Sequence, residues 1–269
     1  MTVLDRTTAT TRVPMGSLRK TALIAGLFYL ISFVSIPTLL LYTAVHEPNF
    51  IVGPGPDTPV LIGGVLEMIV ALAGLGSAVV LYPILKRQNQ SMALGLVGTR
   101  TIEGAVIVVG VACMLTVVTL RQAGVGLEGL VAGQALVGLY DRVFLLSQST
   151  MPAFNALLLA PLLYWSRLVP RVLPVVGMIG APLLLVGTAA VLFGVVGRTS
   201  LLPVVLGIPI ALWEFSLGVY LAVRGSGRRP WIGCLPRGRG PFSAWEMPLD
   251  GAIRPTSDLR GVLSCRRPR

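Results

Sequence analysis

Long apolar runs recur along this chain, and they constrain its fold more than any other feature. The clearest runs are Thr21 to about Ala44, Val60 to Leu85, Ala93 to Leu120, Val172 to Val196 and Leu201 to Val223. A helix needs about 20 predominantly apolar residues to cross the hydrocarbon core of a bilayer, and each run reaches that length. Inside a bilayer every backbone polar group must find its hydrogen bond within the protein, which helices achieve. The predicted fold class is therefore all-α, a polytopic transmembrane helical bundle.

The composition agrees with this fold class. Of the 269 residues, 54% are hydrophobic and only 12% are charged, which is far more apolar than a soluble domain of this size. The formal net charge is +11, but the basic residues stand at the ends of the apolar runs and in the C-terminal tail. That placement is typical of the orientation signals of membrane proteins. We therefore expect the lipid bilayer as partner and no nucleic acid.

The stretch from Leu127 to Trp165 leaves two topologies open. It contains Asp141, Arg142 and a polar break at residues 147–150. It is either one full span preceded by an interfacial or re-entrant helix, which gives six spans, or two short spans, which gives seven. Six spans with the N-terminus in the cytoplasm would also place the basic tail there, and this charge bias favours six. The close-packing spacing Gly129-x-x-x-Gly133 favours seven.

The ends of the chain differ from its apolar centre. Residues 1–18 are polar and rich in Thr, which predicts a disordered cytoplasmic arm. Residues 19–225 form the predicted transmembrane domain. Residues 226–269 are rich in Arg, Gly and Pro and show no periodicity, which predicts a disordered tail. A tail under no structural constraint, from a shifted reading frame, is the alternative.

Four ionisable residues lie well inside the predicted spans. Arg100 and Glu103 are three residues apart in the third run and share a helix face. At a rise of about 1.5 Å per residue, Glu67 in the second run and Glu214 in the last reach the same central slab of the membrane. Charge at that depth is costly unless it is paired or hydrated. We therefore predict a buried polar cluster of these four residues as the candidate binding site.

The cluster supports two interpretations. Arginine has a planar fork that can hold two carboxylates, so Arg100 could lock the helices together as a purely structural cation. Three carboxylates around one guanidinium, however, leave one without a full countercharge, and a carboxyl that binds and releases a proton at mid-membrane is what a proton-coupled carrier uses. Glu67, farthest from Arg100 along the slab, is the best candidate for that role. Asp141 is expected to be solvated near a membrane surface, with lining of a cavity as the alternative.

The sequence lacks the signals of catalysis and metal binding. His46 is the single histidine, and Cys113, Cys234 and Cys265 include no close pair. Zinc sites, Ser-His hydrolases and disulfide frameworks need more than this. We therefore expect no enzyme, no cofactor and no metal site. An intramembrane enzyme that uses Glu67 and Glu103 as paired carboxylates is the alternative left open.

Several local motifs, taken in order, resemble one family. They are Arg19-Lys20-Thr21-Ala22 with Gly26-Leu27-Phe28-Tyr29-Leu30, Leu81-Tyr82-Pro83-Ile84-Leu85-Lys86, Ala93-Leu94-Gly95 with Arg100-x-x-Glu103, Ser166-Arg167-Leu168-Val169-Pro170-Arg171, and Trp213-Glu214. From about Arg19 to Gly225 the chain resembles a bacterial membrane family, domain of unknown function 4386. The resemblance implies a multi-pass protein of the bacterial plasma membrane and brings no established activity, substrate or cofactor with it.

Two functional hypotheses follow from these features. In the first, the protein is a small solute or proton-coupled transporter whose small-molecule substrate is unknown. In the second, it is a non-catalytic membrane partner or scaffold subunit, its buried charges are structural, and it works with another membrane protein or as a homo-oligomer.

Overall fold

The regular elements that the structure describes are all helical. The computed structural model describes residues 15–197 and 200–226. Its helices are α1 (Met15–Ile31), α2 (Thr38–Leu41), α3 (Thr58–Leu85), α4 (Gln90–Gln122), α5 (Gly129–Ser147), α6 (Met151–Ser166), α7 (Val172–Leu192) and α8 (Leu201–Ser226), with short 3-10 turns at Ser32–Ser35, Ala44–His46 and Gly126–Glu128. Residues 15–18 of the predicted arm begin α1, while its first 14 residues and the tail from residue 227 lie outside the described residues.

Six segments of the described chain are long and apolar enough to cross a membrane. They are Arg19–Leu41, Thr58–Leu85, Gln90–Gln122, Gly126–Ser166, Val172–Leu192 and Leu201–Arg224. The predicted six-span, all-α transmembrane bundle is confirmed.

The fourth span consists of two helices in line. A Cβ added at Gly110 of α4 would contact Tyr140 and Val143 of α5, and one added at Gly95 would contact Leu158 of α6. Because α4 has 33 residues, it is about 50 Å long, and α5 and α6 accompany it end to end. The additional helix predicted in this stretch is α5, which packs along α4 in line with α6. The Gly129-x-x-x-Gly133 spacing serves to admit the loop residue Ile51 beside α5.

The spans pack antiparallel, and this brings the ends of the bundle together. A Cβ at Gly26 of α1 would overlap the backbone of α8 at Ala222, and Gly218 of α8 faces Leu30. The start of α1 and the end of α8 therefore lie at one face, together with the α3–α4 and α6–α7 turns. We call this the Arg87 face. The opposite face, which holds the loops at residues 42–57 and 123–128, is called the Arg121 face.

The first span, which the sequence showed only as one apolar run, is interrupted in the structure. The α-helix ends at Ile31, a 3-10 turn follows, and Pro37 precedes α2. Proline has no N–H to donate, so helical bonding cannot pass through it unbroken. Hydroxyl groups compensate, since Ser32 Oγ donates to the Tyr29 carbonyl at 2.6 Å and Thr38 Oγ1 to the Ser35 carbonyl at 2.7 Å.

A face of small residues on α3, which includes Gly64, Ala71 and Gly74, packs against α4. Gly104 of α4 lies against the Ala71 carbonyl, and Gly74 of α3 faces the Arg100 side chain. Small residues at such a contact let two helix backbones approach closely. The close approach places Arg100 in the interior, between an apolar core around Trp213 and Leu96 and a second core that holds Met114.

Candidate functional site

Arg100 lies at the centre of the site and bonds two carboxylates. Its Nη1 donates to Glu103 Oε2 at 3.0 Å, within α4, and its Nη2 donates to Glu214 Oε1 of α8 at 2.9 Å. The three side chains are 6%, 9% and 14% exposed, respectively. Both terminal nitrogens of the guanidinium thus hold an acid in a largely dry environment, where such pairs are short and strong. The predicted grouping of Arg100, Glu103 and Glu214 is present.

Two further spans reach the same group. Asn155 of α6, fully buried, donates from Nδ2 to Glu103 Oε2 at 2.8 Å and accepts from Thr99 Oγ1 at 2.6 Å. The Tyr29 ring of α1 lies 5.5 Å from the Arg100 guanidinium carbon, within the range of a cation–π contact. The network therefore joins α1, α4, α6 and α8.

Glu67 belongs to a neighbouring group. Gly74 is the α3 residue that faces the Arg100 side chain, and Glu67 lies seven residues, about 10 Å, farther along the helix towards the Arg121 face. Its carboxylate is 1% exposed. It accepts hydrogen bonds from the Tyr140 hydroxyl at 2.6 Å and from Gln148 Nε2 at 3.2 Å. Three of the four predicted cluster residues thus form one network, while Glu67 bonds to α5 and the α5–α6 break.

A cavity of about 240 Å³ adjoins both groups. Its wall includes Arg100, Glu103 and Glu214 and also Gln148, the residue that bonds Glu67. Two interrupted segments line it as well, namely the break in the first span and the break between α5 and α6. The residues contributed by these breaks are Ser32, Phe33, Ser35, Ile36 and Gln148, and Pro152 in the first turn of α6 lines the cavity beside them.

Asp141 lies apart from the Arg100 network. Its Oδ1 is 3.1 Å from His46 Nε2, and the two side chains are 34% and 37% exposed. Both line a second cavity of about 380 Å³ towards the Arg121 face. Asp141 thus lines a cavity, as in the alternative interpretation. Its exposure is between that of a fully solvated residue and that of a buried one.

Several site residues were missed by the sequence analysis. Asn155 gave a usable signal, because an amide within an apolar span needs partners as much as a charge does. Gln148 lay in the recognised polar break but was assigned no contact. Tyr140 and Tyr29 gave no signal, since aromatic residues are common in spans and only the packing of the helices reveals which ones face an acid.

Among the described residues, no group of three or more His, Cys, Asp and Glu side chains could hold a metal ion. Glu67 and Glu103 bond to different partners rather than to each other. The chemistry of the site is that of ion pairing and hydrogen bonding.

Six helical segments that are long and apolar enough to cross a membrane, around a buried ion-paired network, are those of a multi-pass membrane protein. Residues 24–225, most of the chain, match the family described as Domain of unknown function (DUF4386), and the chain belongs to that family. The resemblance seen in the local motifs is thereby confirmed. No curated protein and no solved structure matches the chain.

Proposed function

We propose that this protein is a proton-coupled carrier of a small, positively charged or hydrogen-bond-donating solute in the bacterial plasma membrane. The solute would bind in the cavity beside Arg100, Glu103 and Glu214, and Glu67 would bind the coupling proton. The observation that carries the proposal is the meeting of two interrupted spans at one polar cavity in the middle of the bundle.

Interrupted helices at mid-membrane have a recognised physical use. Irregular backbone is tolerated at membrane depth only where it is buried in protein or lines a cavity, because its free polar groups need partners. Carriers use such breaks to present backbone and side-chain polar groups to a substrate. In this chain the breaks at residues 32–37 and 148–150 both contribute to the cavity wall, which supports a binding site rather than an accident of packing.

The charge and size of the cavity support the solute class. Arg100 contributes one positive charge, and Glu103 and Glu214 contribute two carboxylates, so the wall has an excess of acid. An excess charge in a dry site is neutralised by a proton or by a cation. The volume, about 240 Å³, lies below the roughly 300–1,000 Å³ of sites for drug-sized ligands. Both features favour a small amine over an anion or a large molecule.

Glu67 fits the role of the proton-binding residue. It is fully buried, and the two partners described above, Tyr140 and Gln148, are neutral donors. Neutral donors can bond the carboxylate, and after protonation the tyrosine hydroxyl can instead accept from it. Gln148 also lines the cavity, so the charge of Glu67 is linked to the solute site by a single side chain.

Proteoliposomes that enclose a pH-sensitive dye test this proposal. The probes are methylammonium, ethanolamine and choline, with glycerol and sulfate as neutral and anionic comparisons. We expect at least one amine, and neither comparison, to drive proton movement through the wild-type protein. Glu214→Gln should abolish that movement while Arg100 keeps its bond to Glu103. Glu128→Gln, at an exposed acid, is the matched control. Equal proton movement in wild type and Glu214→Gln would overturn the proposal.

We also propose that the Arg87 face lies in the cytoplasm. Seven basic residues of the described chain lie at this face, and three acidic residues lie at the opposite one. The basic residues are Arg19, Lys20, Lys86, Arg87, Arg167, Arg171 and Arg224, and the acidic residues are Glu47, Asp57 and Glu128. An excess of Lys and Arg marks cytoplasmic loops. The N-terminus would then be cytoplasmic.

A scaffold role is the second candidate, and a specific observation favours it. Both terminal nitrogens of Arg100 are occupied, and Glu103 also holds Asn155, so the network joins four spans without any ligand. A scaffold would lose stability in Glu214→Gln but would move no probe in wild type. It would co-purify in mild detergent with another membrane protein or a second copy of this chain, whereas a carrier need not.

A further inference from the structure

The cavity towards the Arg121 face has His46 and Asp141 in a wall that is otherwise largely apolar. Its volume is about 380 Å³, and it lies between the turn at Ala44–His46, the following loop, α4 and α5. His46 Nε2 approaches Asp141 Oδ1 at 3.1 Å, and both side chains remain about a third exposed. The pair therefore lies at the surface of the protein on one side and against the bundle on the other.

Imidazole is suited to take up protons at this position. The ordinary pKa of histidine is about 6.5, so its charge changes in the physiological range. A nearby carboxylate favours the charged form and holds the proton close to the pocket. Several titratable or charged groups surround His46 and its pocket. Asp141 and Tyr140 belong to α5, and Glu47 follows His46 in the chain. Arg121 of α4 lies behind the Phe50 ring, and Glu67 of α3 lies behind Tyr140.

The segment that carries His46 and helix α5, which carries Asp141, also supply two tyrosines next to Glu67. His46 Nδ1 contacts the Tyr42 carbonyl at 2.7 Å, and Tyr140 directly precedes Asp141. The Tyr42 and Tyr140 rings meet edge to face at 5.3 Å. The Tyr140 hydroxyl donates to Glu67, and the Tyr42 hydroxyl lies beside the same carboxylate. His46 is thus one hydrogen bond from Tyr42, and Asp141 is next to Tyr140 in the chain. Both tyrosines adjoin the buried Glu67.

We infer that the His46–Asp141 pair is the proton access site of this protein, through which Glu67 is protonated from the Arg121 face. Neutral His46 takes a proton from the aqueous phase to form the imidazolium, whose two N–H groups donate to the Tyr42 carbonyl and to Asp141, and a proton then passes on to the Glu67 carboxylate. The imidazole becomes neutral again and Glu67 becomes a neutral acid, with no transfer of electrons. The inference rests on the proposed role of Glu67 as the proton-binding residue, and it adds the side and the residues by which the proton arrives.

Carbodiimide modification of Glu67 tests the inference without any solute. Dicyclohexylcarbodiimide reacts with a protonated buried carboxyl to give a stable acylurea that peptide mass spectrometry measures. The protein is placed in oriented proteoliposomes, and the pH is lowered by one unit, starting near the ordinary imidazole pKa of about 6.5, on one face at a time. We expect acid at the Arg121 face to raise modification of Glu67 up to about tenfold, and acid at the Arg87 face to leave it unchanged.

Variants identify the residues of the route. His46→Gln and Asp141→Asn, both at partly exposed positions, should lose most of the rise caused by acid at the Arg121 face. Glu128→Gln, an exposed acid at that face, should keep it. An equal rise from either face, or an unchanged rise in both variants, overturns the inference. Because no solute moves in this assay, failure of the carrier proposal would appear in the dye experiment and not here.

Discussion

Arg100 shows how residue-scale reasoning succeeds for charge. A guanidinium deep in an apolar run needs an acid, and few acids lie at its depth. Depth along the helices therefore selected Glu103, Glu214 and Glu67 from the sequence alone, and the structure pairs the first two with Arg100 but not the third. The hydrogen-bond partners without charge, Asn155 and Tyr140, were not selected, because uncharged residues are frequent in spans and their depth alone singles out no partner.

Removal of the Arg100 charge should destabilise the fold. Arg100→Leu leaves Glu103 and Glu214 buried without their cation, and breaking a buried pair costs about 3–5 kcal/mol. Arg100→Lys keeps the charge but loses the fork that bonds two acids at once, so it should cost less. Unfolding of each variant in detergent, induced by heat or denaturant, measures the loss of stability. Arg142→Leu, at an exposed position, is the control, and a loss there as large as in Arg100→Leu would contradict this explanation.

Asn155 should contribute almost as much to the stability of the fold as a buried charged residue does. Asn155→Leu keeps the approximate volume but removes the donor to Glu103 and the acceptor for Thr99, which should lower the free energy of unfolding by about 1–3 kcal/mol. Asn155→Asp replaces the donor with a carboxylate next to Glu103, so this variant should lose more of the free energy of unfolding than Asn155→Leu. Denaturant titration of the two variants side by side checks this order, and a more stable Asp variant would exclude the described hydrogen bond.

At the scale of elements, the sequence predicts which face of a helix is small but not what packs there. Gly64, Ala71 and Gly74 marked a close-packing face of α3, and α4 occupies it. The Gly129-x-x-x-Gly133 spacing carried the same signal, yet its partner is the side chain of Ile51 in a loop. The interruption at Pro37 was also missed, because the apolar run continues through it and hydropathy does not detect a break in hydrogen bonding.

Two glycines in different helices should respond oppositely to alanine. A Cβ at Gly26 would overlap the backbone of α8 at Ala222, and Gly26→Ala should cost about 1–3 kcal/mol because neither helix can yield locally. Gly98 of α4 has open space around it. Gly98→Ala should therefore be neutral or should stabilise the helix by about 0.5–1 kcal/mol. Thermal unfolding of the pair in one detergent provides the comparison, and equal effects would argue against the α1–α8 contact.

At the scale of the whole molecule, six spans require both ends of the transmembrane domain on one side. Reporter fusions after Arg171 and Gly225 should give the same cytoplasmic signal, and a fusion after Gly124, in the α4–α5 loop, should give the opposite one. Residue 148 is a poor fusion site because it lies inside the bundle. Opposite signals at residues 171 and 225, or an external signal at both, would contradict the proposed orientation.

The sequence by itself determined that this chain is a membrane-embedded helical bundle with charge at its centre. Length and hydropathy require spanning helices, and the cost of a buried charge requires partners at the same depth. Only the tertiary structure decided which helices meet, because several antiparallel arrangements bring the same depths together. The choice among them depends on close side-chain packing, which placed Glu67 beside Tyr140 and Gln148 and brought the two interrupted spans to one cavity.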